Sequence, residues 1–389
     1  MPFFYLTLQK IIIMTWIKRQ LHDTINQDFF KGKAILLVGA RQVGKTTLFN
    51  QILEKHDEPI LRLNCDEPEV RDLLTNVNTN ELRSIIGNNR IVVVDEAQRV
   101  KNIGISLKLI FDGFPNVQLL ITGSSALQLQ DTINEPLTGR KWEYHLFPIS
   151  TSEILNNAGI IAVKQSLERR LVYGSYPDVI NNTEDSRKIL TNLADSYLYK
   201  DILSLDYVRK PALLEKLLVA LALQVGSEVS YNELSQTVGC DTKTIEKYID
   251  LLEKCYIIFR LQAYSRNLRN ELKKSKKIYF VDNGIRNAII QNYSPLSLRN
   301  DIGSLWENFI ISERMKANSH NGIYANSYFW RNSQQQEIDY IEECDGKIKA
   351  FEIKWNPRKA NVKIPISFQA AYNVESFVVI TPDNYLQHL

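Results

Sequence analysis

The sequence predicts an α/β fold built on a parallel sheet, and three observations support it. Short apolar runs recur at Ala34–Val38, Ile91–Val94 and Val117–Thr122, the pattern of strands buried on both faces. Segments with helical spacing stand between them, as at Thr47–Lys55 and Thr79–Ile86. The first run feeds Gly39-Ala40-Arg41-Gln42-Val43-Gly44-Lys45-Thr46, a glycine-bounded loop that opens directly into a helix.

In chain order, Trp16–Phe30 reads as an amphipathic helix with Ile17, Leu21, Ile25 and Phe29 on one side. The loop that follows fits G-x-x-x-x-G-K-[ST] at every fixed position. A strand, a tight turn and a helix start leave free backbone N–H groups aimed at one spot. The helix dipole adds positive charge there, so a nucleotide di- or triphosphate is the expected occupant. Gly39 and Gly44 permit the turn, and Ala40, Gln42, Val43 and Thr47 complete the expected ATP-binding set. Lys45 is expected to stand exposed and reach the β- and γ-phosphates, and Thr46 to hold Mg²⁺.

Ile60–Asn64 reads as a second strand, and Asp66–Leu74 and Thr79–Ile86 as helices. Ile91–Glu96 is an apolar strand ending in two acids. That end belongs beside the loop, with Asp95 on Mg²⁺ and Glu96 as general base toward the attacking water. After Val117–Thr122 comes Gly123-Ser124-Ser125. A polar side chain here suits contact with the γ-phosphate or the catalytic water; Ser124 is the first candidate, Thr122 the second, and a plain helix cap the alternative. Arg140 precedes the strand Trp142–Phe147 and is placed like an arginine finger, acting in its own chain or across a subunit boundary. A structural ion pair is the other reading of Arg140.

A length of 389 residues implies two or three domains. The net charge of +3 is too small to argue for nucleic acid, so any such case rests on local patches. Four cysteines without C-x-x-C spacing argue against a zinc site or disulfide framework and suit the cytoplasm. No run has the length of a membrane span. The apolar leader MPFFYLTLQKIII has no small-residue cleavage site, so no signal peptide is expected.

GARQVGKT, VVVDEAQRV, LLITGSS and LTGRKWEYHLFPIS together resemble an AAA-type ATPase family of bacteria and archaea. The resemblance implies ATP binding and hydrolysis by a domain at about 16–156, and a C-terminal domain of uncharacterised function. It also implies a helical lid or connector at 157–210, where Tyr173–Pro177 is a turn cluster and Ser186–Leu205 a long helix.

Three short helices and a strand pair follow at 211–277. Leu213, Leu217, Ala220, Leu221 and Val225 line the first helix, Ser230–Glu233 is a capping box, and Asp241 caps the third. A winged helix-turn-helix is expected, its third helix carrying Lys243, Lys247 and Lys254 but also Glu246, Asp250 and Glu253. The run Arg266–Lys277 holds a denser basic patch, so DNA is one expected partner and a protein the other. In 278–389, Ile278–Val281 reads as a strand and Asp282–Gly284 as a turn. Glu307 on a helix, Asp339 on a strand, and Glu352 and Lys354 on a hairpin strand resemble the PD-(D/E)xK nuclease fold, without its proline. The resemblance implies that the three acids converge on a second Mg²⁺ or Mn²⁺ site beside Lys354. Two functions are open at this point: an ATPase coupled to DNA binding or processing, and a nucleotide-dependent regulatory or scaffold protein that cleaves nothing.

Overall fold

A computed structural model describes residues 17–123, 136–195, 208, 210–265 and 276–389. The leader, Ser124 and most of the basic run after Ser265 lie outside those residues. The first sheet is built from β1 (Ala34–Val38), β2 (Ile60–Asn64), β3 (Ile91–Asp95), β4 (Gln118–Gly123) and β5 (Lys141–His145). Its order is β2-β3-β4-β1-β5 and every pairing is parallel.

The middles of the central strands are apolar because both faces are covered, with polar residues only toward the ends of β3 and β4. Ile35, Leu37, Ile91, Val93 and Leu120 face one way, against α1 (Leu21–Gln27) and α2 (Lys45–Leu53). Ala34, Leu36, Val38, Val92, Val94, Leu119 and Ile121 face the other, against α3 (Pro68–Leu74), α4 (Thr79–Ile86) and α5 (Ile103–Gly113). α1 is shorter than the periodicity suggests, and just beyond it Phe30 takes a positive φ of 57°. α5 is not apparent from sequence. Ile103, Leu107 and Ile110 give it a core stripe, but Gly104 and Gly113 dilute its helical character.

The connector begins with α6 (Thr151–Tyr173), capped by a reciprocal Ser150–Glu153 box and broken at Gly159. α7 (Pro177–Asn181) and α8 (Ser186–Leu193) follow. Next come α9 (Pro211–Leu223), β6 (Glu228–Val229), α10 (Tyr231–Val238), α11 (Thr242–Lys254), β7 (Ile258–Ala263) and β8 (Lys276–Phe280). The C-terminal part adds α12 (Asn283–Ile289), α13 (Ile302–His320), β9 (Asn326–Arg331), β10 (Glu337–Cys344), β11 (Lys347–Ile353), α14 (Ile366–Ala371) and β12 (Val374–Ile380).

The boundary expected at 277/278 does not separate two sheets. β8, read from sequence as the opening strand of a separate domain, pairs antiparallel with β7 and β6. β7 pairs parallel with β9 through Gln262–Tyr328 and Ala263–Phe329, so one seven-stranded sheet runs β12-β11-β10-β9-β7-β8-β6. Local pattern identifies each strand, but the β7–β9 pairing spans more than sixty residues of chain, beyond the reach of any period-two signal. The expected turn at Asp282–Gly284 is a helix start: the Asp282 carboxylate accepts the Gly284 N–H at 2.8 Å and caps α12.

Asp282 also accepts the Ser175 N–H at 2.7 Å, and this locks α12 onto the end of α6. At Gly284 a Cβ would lie 2.2 Å from the Tyr173 carbonyl oxygen, so the two segments meet backbone to backbone. One buried cluster runs from Ile17 through α6 to Tyr385, joining the first sheet's outer face to the C-terminal half. Gly284→Ala is expected to cost about 1–3 kcal/mol by overpacking this seam. Urea unfolding checks it, and a parental midpoint would contradict the backbone contact.

Candidate active site

The loop between β1 and α2 is shaped by its neighbours before any ligand arrives. A Cβ on Gly39 would lie 2.2 Å from the Leu146 carbonyl oxygen, because the chain leaving β5 passes directly behind the turn. Gly44 takes a left-handed φ of 95° and opens α2. Lys45 departs from expectation. It is only 4% exposed, and its Nζ donates to the carbonyls of Gly39 at 3.1 Å and Ala40 at 2.9 Å. The ammonium thus folds into the cradle onto the loop's own carbonyls. Burial pulls its pKa down to about 8, against the opposing pull of Glu96 and Asp95.

The end of β3 stands beside this loop. Thr46 Oγ1 donates to Asp95 Oδ2 at 3.0 Å, so two oxygen ligands suited to a hard cation already meet. β4 runs next to β3, which brings Thr122 against the same acid. The Thr122 hydroxyl donates to Asp95 and accepts the Glu96 N–H at 3.0 Å. Glu96 takes a left-handed φ of 51°, a strained backbone for a residue with a side chain, and its carboxylate accepts from Gln98. A cleft of about 600 Å³ opens here, lined by Thr46, Asn50, Arg62, Asn64, Asp95 and Thr122.

Residues 31–155, which hold this constellation, match a family model described as an AAA domain. They form a P-loop ATPase domain. Residues 164–296 and 302–389 match two domains of unknown function, DUF8612 and DUF4143. An uncharacterized protein of Mycobacterium tuberculosis is 24% identical over 350 residues, covering 89% of this chain and 75% of its own. An uncharacterized protein of Haemophilus influenzae is 28% identical over 295 residues, covering 70% and 72%. Among solved structures, a Walker-type ATPase of Pyrococcus abyssi is 16% identical, with a TM-score of 0.48 over 71% of this chain and 96% of that one. A Thermotoga maritima RuvB variant is 17% identical, with a TM-score of 0.34 over 66% and 95%.

Within the ATPase domain, Thr46, Asp95, Glu96 and Thr122 come together, and Arg140 does not join them. Arg140 lies at the start of β5, where its carbonyl accepts the Ala34 N–H at 2.9 Å and its Nε meets Asp112 at 2.9 Å. That is the N-terminal end of β1, with the loop at the other end, about 13 Å away along the strand. Arg140 therefore does not reach the loop of its own chain. Nothing in the sequence marks Arg19, yet its guanidinium donates to the Val43 carbonyl at 2.7 Å.

The C-terminal acids lie close together with lysines among them. Lys354 Nζ lies 3.4 Å from Asp339 and 2.5 Å from Glu352, and Asp339 accepts the Ile353 N–H at 2.7 Å. Glu307 accepts from Tyr279 at 2.6 Å and pairs with Lys277 at 3.3 Å, and Lys277 also pairs with Glu337. Burial raises the Glu307 pKa to about 7, with Lys277 opposing and Asp339 adding to the rise. Among the described residues no three His, Cys, Asp or Glu side chains form a group that could hold a metal ion. Of the expected site, Lys354 does stand beside Asp339 and Glu352, and Asp339 acts electrostatically on both Glu307 and Glu352, but Lys277 enters the group as well and makes it a carboxylate–lysine network. The alternation that puts Glu352 and Lys354 on one face says nothing of Lys277 arriving from β8. Lys277 is buried, so it also leaves the basic run expected to face solvent.

Two predictions follow from this geometry. Phosphate should hold Lys45 charged, while the ligand-free site loses that charge as pH rises through about 8. MgATP binding should therefore take up about one proton at pH 9 and far less at pH 7. Calorimetry in buffers of different ionisation enthalpy measures this, and equal uptake at both pH values would contradict it. Glu96→Gln should keep MgATP bound and slow its turnover about a hundredfold or more. Lost affinity with normal turnover per bound nucleotide would reverse the roles of Asp95 and Glu96.

Proposed function

We propose that the chain is an Mg²⁺-dependent ATPase that uses its nucleotide state to control DNA binding by the C-terminal half. The observation that carries the catalytic part is the meeting of Thr46, Asp95, Thr122 and Glu96 at the mouth of the loop. In this reading the loop N–H groups and Lys45 hold the β- and γ-phosphates. Thr46 and Asp95 would hold Mg²⁺, which supplies charge neutralisation at those phosphates. Glu96 orients a water toward the γ-phosphorus and takes its proton as the bond to the ADP oxygen breaks. Thr122 keeps both acids in register. Ser124, outside the described residues, keeps its proposed place at the γ-phosphate. Arg140 serves as a finger only toward a neighbouring chain's nucleotide.

The DNA part rests on the segment from α9 to β8, read as a winged helix with α11 as its recognition helix. Two of the three acids on α11 are occupied internally: Arg260 pairs with Asp250 at 2.7 Å and with Glu253. Lys243 and Lys247 remain exposed on its first two turns, with Glu246 as the remaining acid. Phosphodiester cleavage would need a metal between the C-terminal acids, and among the described residues no three such side chains form a group that could hold one, which favours a binding scaffold.

The test measures phosphate release and duplex DNA binding by the full chain. Mg²⁺-dependent release and a DNA affinity that falls steeply from 50 to 200 mM salt are expected. No release would overturn the ATPase reading. Binding indifferent to salt, or none at low salt, would turn the C-terminal half toward a protein partner.

A further inference from the structure

The mechanism proposed above leaves out one buried arginine. Arg19 precedes α1, is 6% exposed, and spends its guanidinium on three groups. Nη1 donates to the Val43 carbonyl at 2.7 Å, Nη2 to the Phe147 carbonyl at 2.5 Å, and Nε to Glu153 at 2.9 Å. Val43 and Gly44 share a planar trans peptide, whose C=O and N–H point in opposite directions. Holding the Val43 carbonyl outward therefore turns the Gly44 N–H inward, toward the phosphate position. Phe147 follows Leu146, whose carbonyl backs Gly39. One side chain thus ties the C-terminal arm of the loop to the segment that supports its N-terminal arm.

Glu153 is the counter-charge. It is 1% exposed and also accepts the N–H groups of Gln20 and Ser150, each at 2.9 Å. Burial pushes its carboxyl up, but Arg19, His320 and those N–H groups outweigh this and leave it below the usual range. It stands in the first turn of α6, where α13 also docks. Glu313 accepts the Thr151 N–H at 2.5 Å and pairs with Arg170 at 3.3 Å. The last residue of α13, His320, is buried near Glu153, with its ring 6.1 Å from that of Phe147. Neither of its ring nitrogens has a hydrogen-bond partner among the described residues.

We propose that Arg19 is a positioning residue for the phosphate loop, and that α13 of the C-terminal half sets its geometry through Glu153. This rests on the ATPase reading and adds to it a physical route between nucleotide and C-terminal domain. The three acceptors are each met by a different nitrogen of the planar guanidinium, a spread that the single nitrogen of a lysine ammonium does not span.

The test is MgATP affinity in the full chain, with the unfolding midpoint followed alongside. Arg19→Ala should weaken MgATP at least tenfold, and millimolar guanidinium should restore part of the loss in the same folded protein. Arg19→Lys keeps the charge beside Glu153 and should also lose about tenfold, which covers the case of an unstable alanine variant. Glu313→Gln, remote from the phosphates, should weaken MgATP at least threefold. Parental affinity in both Arg19 variants overturns the positioning role while leaving the ATPase reading intact. Parental affinity in Glu313→Gln alone overturns the part given to α13. A parent chain that binds no MgATP overturns the ATPase reading and this inference together.

Discussion

A handful of backbone N–H groups must face one point before any phosphate arrives, and the arrangement of the ATPase domain follows from that constraint. β1 delivers the loop, α2 receives it, and the chain leaving β5 presses against Gly39 so closely that no side chain fits. The parallel order β2-β3-β4-β1-β5 then sets the C-terminal ends of β3 and β4 beside the loop. Asp95 reaches Thr46, and Thr122 reaches Asp95, without any long side chain having to stretch. Preorganisation of this kind is effective because donors fixed in advance lose no entropy on binding.

Buried charge is handled in two contrasting ways. Around the loop, Arg19 and Glu153 form a desolvated pair in which the other hydrogen-bonding capacity is taken by backbone groups. Removing one member of such a pair leaves the other exposed to the full desolvation cost, several kcal/mol in order of magnitude (~3–5). Lys45 is buried on the Gly39 and Ala40 carbonyls, and burial lowers its pKa although Glu96 and Asp95 pull the other way. In the C-terminal sheet the excess runs the other way. Glu307, Glu337, Asp339 and Glu352 crowd together, and Lys277 and Lys354 offset them. One site is poised for an anion, whereas the other is partly offset from within by two lysines.

The parts legible in sequence were those written in local pattern. Thr79–Ile86 and Ile60–Asn64 have the expected bounds, because a capping box and a run of β-prone residues mark their ends. The loop and the acidic end of β3 were equally plain, since a fixed spacing encodes them. Thr122 ranked second to Ser124 because sequence does not show which side chain of a strand end turns toward the neighbouring strand. Arg19, Lys277 and Arg260 were opaque for a common reason. Each acts on groups distant in sequence or on backbone atoms that carry no residue signature. The fused seven-stranded sheet was hidden likewise: strands can be found one at a time, but a pairing such as β7 with β9 is a property of the whole fold.

The central claim is that the loop is a phosphate cradle whose lysine leaves the loop carbonyls for phosphate. A structure of the full chain with Mg²⁺ and a non-hydrolysable ATP analogue tests it most directly. The account predicts Lys45 Nζ drawn off the Gly39 and Ala40 carbonyls onto the phosphates, with a cation between Thr46 and Asp95. A nucleotide bound elsewhere, or one bound at the loop with the lysine still on those carbonyls, would contradict it.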